Sequence, residues 1–255
     1  RRKARNIVDC KWVIKWKMEL LPDGSERRVI RARLTIRGFK DQDKDSLERY
    51  AGTSQRYSQR LLVSEAACRR WPILSTDISK AFLQGVTYAE LAKLTGEPLR
   101  EVNFYLPPNS VSALQQIPGY EDFDPAVEVL HCDKPGTGSV DAPRAFHLKL
   151  AQVTRGECNL VPTRTDQELL VLHAVGPDRS VGDLQAVLAI HVDDLKMAGD
   201  KQTLLKIVAR IEHTFGKLIL QWHRFTNCGL RHIQDPTTFE CTLDQIEYIA
   251  ALKTI

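Results

Sequence analysis

The chain has 255 residues, 43% apolar and 27% charged, which is the composition of an ordinary globular protein with enough length for one elaborate domain or two intertwined ones. No apolar run approaches a membrane span and no secretory signal opens the sequence, and the six cysteines form no CxxC pair and no zinc spacing with the seven histidines, so their thiols are read as reduced and structural. Net charge is only +4, but residues 1–70 carry 19 Lys/Arg against 9 Asp/Glu while the remainder is acidic, an asymmetry that suits a polyanion grip beside a metal-holding base.

Arg1-Arg2-Lys3-Ala4-Arg5 opens the chain without an initiator Met, which reads as the continuation of a longer polypeptide, with a nucleic-acid arm or a localisation signal as the alternatives. From Trp12 the pattern has period two. Trp12, Ile14, Trp16, Met18 and Leu20 share one face, and Lys15, Lys17 and Glu19 the other. Leu21-Pro22-Asp23-Gly24 is a turn signal, and a second alternating run puts Ile30, Ala32, Leu34 and Ile36 opposite Arg31, Arg33 and Arg37. This is a β-hairpin whose polar face spaces guanidinium groups about 7 Å apart, from a rise of ~3.3 Å per residue, a comb that fits phosphate oxygens. A merely solubilising outer face is the competing reading.

Residues 58–70 form a predicted helix. Ile73-Leu74-Ser75-Thr76 then runs as a strand into Asp77, and Lys80-Ala81-Phe82 starts a turn or short helix. Residues 96–145, rich in Pro and Gly, read as irregular and hairpin-rich, and Ala142 to Leu150 opens another helix. The apolar segment Ala186 to Val192 ends in Asp193-Asp194, with Leu195 to Ala198 as the return strand of a hairpin. An amphipathic helix follows from Lys201 to Phe215, capped by Asp200. Adjacent carboxylates at the end of an apolar strand need a strong compensating charge, and a divalent cation is one. Asp-Asp as a solvated turn is the bland alternative. Asp77, Asp193 and Asp194, brought together from two strand ends, are the ligand set of a two-metal phosphoryl-transfer site.

Several blocks, in order, resemble the reverse transcriptase domain of copia-type LTR retrotransposon Pol polyproteins. They are Lys11-Trp12-Val13 through Arg37-Gly38-Phe39, Asp77-Ile78-Ser79-Lys80-Ala81-Phe82-Leu83-Gln84-Gly85, Ala142-Pro143-Arg144-Ala145-Phe146, His191-Val192-Asp193-Asp194, Cys228-Gly229-Leu230 and Asp244-Gln245-Ile246-Glu247-Tyr248-Ile249. The resemblance implies an α+β right-hand polymerase fold. Fingers would comprise 1–70 and about 91–145. The palm, with an antiparallel sheet, would comprise about 71–90 and 146–235, and 236–255 would start a largely missing thumb or connection. It implies RNA-directed DNA polymerisation, with Asp77, Asp193 and Asp194 holding two Mg²⁺ (or Mn²⁺), and an RNA template, a DNA or RNA primer and dNTPs as partners.

By the same resemblance, Phe82 would exclude a ribose 2′-hydroxyl, with Ala81 beside it at the nucleotide. Arg31, Arg33 and Arg37 would grip triphosphate or template, and His191, Val192, Asp141, Arg144, Lys15 and Lys17 would contact template or primer. Integrase and ribonuclease H segments would lie elsewhere in a parent polyprotein, housed in a cytoplasmic virus-like particle with nuclear entry and no membrane association. The sequence departs from the family pattern at His191, where Tyr is usual, at Asp141, where Gln is common, and at Thr137-Gly138-Ser139. Those departures leave a degenerate, non-catalytic nucleic-acid-binding relic as the second reading, and a palm-like nucleotide cyclase as a third, which the long excursion between the acids disfavours.

Overall fold

A computed structural model describes residues 4–20, 25–176, 178, 180–250 and 252. The expected turn at 21–24, residues 1–3 of the basic opening and part of the expected thumb segment lie outside them. In chain order the elements are β1 (Ile7–Leu20), β2 (Glu26–Ile36), α1 (Arg56–Arg69), β3 (Ile73–Asp77), α2 (Tyr88–Thr95), β4 (Asn103–Tyr105) and α3 (Val111–Leu114). There follow β5 (Leu130–His131), α4 (Ala142–Ala151), β6 (Val161–Pro162), β7 (Leu169–Val175), β8 (Val181–His191) and β9 (Asp194–Gly199). The chain ends with α5 (Lys201–Phe215), β10 (Gln221–Trp222), β11 (Arg224–Asn227), β12 (Leu230–Gln234), β13 (Cys241–Asp244) and α6 (Ile246–Ala250). The class is α+β, as expected, and among the described residues no helix is long and apolar enough to cross a membrane.

The chain divides into two compact units, Arg1–Tyr50 with Phe82–Phe146, and Ala51–Ala81 with His147–Ile255. The first is built on a four-stranded sheet of order β2-β1-β4-β5. The β1–β2 hairpin pairs from Cys10↔Ile36 to Leu20↔Glu26, a register that sets Trp12, Ile14 and Trp16 opposite Leu34, Ala32 and Ile30. Beyond it, Ile36 N donates to Thr137 O and Gly38 N to Gly138 O. A Cβ on Gly38 would strike the Gly138 carbonyl, and one on Gly138, at φ +90°, would strike that of Ile36. Gly38 and Gly138 are therefore glycines because two backbones touch there. Just before the region expected to be irregular, α2 is secured by a capping box, with Thr87 Oγ1 accepting from Glu90 N and Glu90 Oε2 accepting from Thr87 N.

The second unit holds a six-stranded antiparallel sheet of order β10-β3-β9-β8-β7-β6 and a three-stranded one, β11-β12-β13. Leu62, Val63 and Ala66 of α1 pack into a core with Ile73, Leu169, Val187, Ala189, Ala198 and Phe225. Burying each large aliphatic side chain contributes about 1.5–3 kcal/mol. By strand alternation the opposite face carries Leu74, Leu170, Leu188 and Met197, all fully buried. Helix α5 packs against β8 and β9, burying Leu204, Ile207, Val208, Ile211 and Phe215. Its expected cap is present, Asp200 Oδ2 accepting from Thr203 N at 3.0 Å. Helix α1 begins two residues earlier than expected and stops where Arg70 turns left-handed at φ +54°.

Candidate active site

Strand β3 is buried from Ile73 to Thr76 and delivers Asp77 at its exposed end. β8 runs buried from Ala186 to Ile190, turns through Val192-Asp193, and returns as β9 starting at Asp194. The register sets Asp194 opposite His191 on one side and opposite Asp77 on the other, so three neighbouring strands end together. Ile78 N donates to Asp193 O at 3.1 Å, fastening the turn to the end of β3. Where β7 stops pairing, the segment before α1 takes its place: Thr53 bridges to His191, and Ser54 N donates to Ile190 O at 2.8 Å. The turn is held from both sides. Val192 sits at φ +58°, a left-handed conformation costly for a β-branched residue and of the kind concentrated at functional sites.

Burial pushes the Asp194 carboxyl above the ordinary carboxylate range; the charges of Asp193 and Asp77 push the same way, and His191 pulls it back. The donors are all carboxylate oxygens, the kind that Mg²⁺ or Mn²⁺ takes, so the residues fit a hard divalent cation in chemistry. Among the described residues, however, no three His, Cys, Asp or Glu side chains are gathered closely enough to hold one. The backbone register sets Asp77 beside Asp194, with Asp193 in the adjoining turn.

Two residues beyond Asp194, on the same face of β9, Lys196 is 1% exposed. Its Nζ lies 3.1 Å from Nε2 of His232, whose Nδ1 lies 2.9 Å from Leu230 O. Donation from Nδ1 leaves Nε2 free to accept from the ammonium. Burial lowers the Lys196 pKa to about 8 and that of His232 to about 4, the latter helped by the Lys196 charge. The Cys228 thiol, in the turn joining β11 to β12, senses both Lys196 and Asp194, though burial is the main reason its pKa is raised. Sequence reasoning passed over Lys196 and read the cysteines as structural. The available signal was a lysine inside Leu195-Lys196-Met197-Ala198, in register with Asp194.

The other expected acids and bases belong to the first unit. Lys15 is opposite Arg31 and Val13 opposite Arg33, so these cations share one exposed face of the hairpin, with Lys17 on the same face. Arg37 is ion-paired with Asp9 at 3.0 Å. Arg144 is held by Glu97 at 2.9 Å and by the Glu48 carbonyl. Asp141 corrects the expectation of a charge facing template: it is 1% exposed and bound to Arg100, which also binds Asp41. Burial raises the Asp141 pKa and Arg100 opposes the rise. Phe82 lies half-buried in the short 3₁₀ turn Ala81–Leu83, with Ala81 buried in the second unit.

No protein-family model matches the chain. It is 30% identical over 203 residues to the retrovirus-related Pol polyprotein from transposon RE2 of Arabidopsis thaliana. It is 29% identical over 202 residues to that from transposon RE1 of the same plant. Each match takes in 78% of this chain and 12% of the relative, so the chain spans about an eighth of their length. Among solved structures, apo telomerase from Candida tropicalis truncated from its C-terminal domain superposes with a TM-score of 0.44 and 10% identity. That superposition covers 94% of this chain and 55% of the telomerase.

Proposed function

This chain is homologous to a segment of the Pol polyproteins of copia-type retrotransposons, and on that premise we propose that it is their RNA-directed DNA polymerase domain. The observation that carries the reading is the pairing of Asp77 with Asp194 on adjacent strands, beside the strained turn that bears Asp193. In this reading the second unit is the palm and the first supplies fingers. Asp77, Asp193 and Asp194 would hold two divalent ions, which supply a lowered pKa for the primer 3′-hydroxyl and neutralise the leaving pyrophosphate.

The chain's own residues do the rest. Thr53, Ser54 and Ile78 fix both sides of the Asp193 turn, so the carboxylates meet an incoming nucleotide without backbone reorganisation. Lys15, Arg31 and Arg33 grip phosphates of template or triphosphate with charge-assisted hydrogen bonds. Phe82, five residues after Asp77 in sequence, is the sugar gate. Template RNA, primer and dNTPs are the partners, with other segments of a Pol polyprotein completing the machinery.

Primer extension on a primed RNA template with Mg²⁺, comparing dNTPs with rNTPs for the wild type and Asp193→Asn, tests this. Metal-dependent dNTP addition that the variant loses is the expected result. A folded protein that binds primed RNA and extends nothing would instead favour the non-catalytic relic, the reading that His191 in place of Tyr keeps in play.

A further inference from the structure

Among the described residues, the apolar face of the β1–β2 hairpin is largely open to solvent, with Ser110 reaching it at Trp12. Trp12, Ile14, Trp16 and Met18 of β1 are 47%, 65%, 58% and 52% exposed, and Ile30 of β2 is 61% exposed. The register joins them into one strip, since Trp16 faces Ile30, Ile14 faces Ala32 and Trp12 faces Leu34. With ~250 Å² for a whole Trp and somewhat under 200 Å² for Ile or Met, the strip exposes roughly 600 Å² of apolar surface. A patch of this size on one secondary-structure face marks an interaction site rather than scattered surface residues.

We propose that this face docks against the same face of a second copy of the chain, sheet on sheet about a two-fold axis. Three observations favour that occupant. The strip suits self-packing: between the row of Trp12 with Leu34 and the row of Trp16 with Ile30, Ile14 faces only the methyl of Ala32, which leaves room over Ala32 for a side chain of the facing copy. Trp12 and Trp16 are already oriented, the first by Nε1 donating to Ser110 Oγ at 2.7 Å, the second by the Arg28 guanidinium 4.4 Å from its ring centroid.

The charges also sort correctly. Lys15, Lys17, Arg31 and Arg33 point to the opposite face, so in a face-to-face pair they lie on the two outer sides. Those sides are separated by ~10 Å of sheet spacing plus the side chains, more than the ~8 Å Debye length at physiological salt. Edge-to-edge pairing is disfavoured, because β2, the edge strand, carries Arg27, Arg28, Arg31 and Arg33. Among the described residues of the apolar face, a nucleic-acid strand would find Arg28 alone for its phosphates, and better partners behind.

Burying roughly 600 Å² per copy falls at the low end of specific interfaces, so association in the micromolar range is expected. The experiment is sedimentation equilibrium of the whole chain from about 1 to 100 μM, for wild type and for Trp16→Ser with Ile14→Ser. Both substitutions are at exposed positions, and circular dichroism melting checks that the variant is folded. A concentration-dependent dimer that persists in about 0.5 M NaCl, where surface charge is screened, and is lost in the folded variant, supports the proposal. A wild type that stays monomeric throughout overturns it, as does a dimer that survives the substitutions. Should the wild type be monomeric and the variant lose affinity for an oligouridylate probe, the face belongs to nucleic acid and the proposal is equally overturned. None of these outcomes depends on whether the chain polymerises DNA.

Discussion

Asp77 and Asp194 are directly paired across β3 and β9, two carboxylates placed opposite each other at the ends of neighbouring strands. Like charges so placed destabilise a sheet, and burial adds to the strain on Asp194. Because the Asp194 pKa is raised in the folded state, this group's contribution to stability is fullest below the ordinary carboxylate pKa and is lost as pH rises through its raised value. Asp194→Asn is expected to melt higher than wild type at neutral pH in a chelator, by about 2–4 °C for each kcal/mol relieved in a chain of this size. The same variant should lose roughly 10³-fold or more of primer-extension activity, the several kcal/mol that metal ligation supplies. A variant less stable than wild type in chelator would show that the pair is not repulsive.

Val192→Gly removes the penalty of holding a β-branched residue at φ +58°. The relief is about 1–3 kcal/mol, partly offset by the ~0.5–1 kcal/mol of backbone entropy that glycine gives up on folding. The expected net effect is a melting point raised by a few degrees with a drop in extension rate, because the turn loses its imposed geometry. Thermal melts and single-turnover rates on one preparation check both halves.

Glu168 is almost fully buried with Oε1 3.5 Å from both Arg155 and His147, while Oε2 has no hydrogen-bond partner among the described residues. The Gly52 backbone lies so close that a Cβ there would overlap the carboxylate. Burial is the main reason its pKa rises from 4.5 to about 7, against the pull of Arg155. An acid raised in the folded state is stabilising in its protonated form, so stability is lost as pH climbs from about 4.5 through about 7. Glu168→Gln should flatten that slope and raise stability at pH 8 by about 3 kcal/mol, at ~1.4 kcal/mol per pKa unit. Urea unfolding at pH 5 and pH 8 measures the difference, and an unchanged slope would refute it.

Arg100 neutralises the buried acids Asp41 and Asp141 from one guanidinium. Arg100→Leu strands them both and is expected to cost about 3–5 kcal/mol. Asp141→Asn in the same chain should recover part of that loss, the coupling expected within one network. Restoring the family's usual residue by Asp141→Gln is expected to destabilise the first unit without improving extension. Chemical denaturation of the four proteins, with extension assays on the folded ones, separates an internal ion pair from a template contact.

The hairpin, α5 with its Asp200 cap, and the strand ends bearing Asp77 and Asp193-Asp194 were legible in the sequence. Each depends on chemistry within a dozen or so residues: alternation with period two, apolar spacings of three and four, a side-chain oxygen one turn from an amide it can cap. The motifs also carried the relationship to retrotransposon Pol polyproteins, which sequence comparison bears out. The sequence could not say that Asp141 spends its charge on Arg100, 41 residues away, or that Lys196 is sealed against His232. Nor could it say that the Trp face of the hairpin stays open to solvent instead of joining a core. Alternation says which side chains share a face, but only the packing of distant segments decides whether that face is covered. Burial in turn decides whether a charge is solvated, paired or pushed off its ordinary pKa, and that part of the protein was written by its tertiary structure.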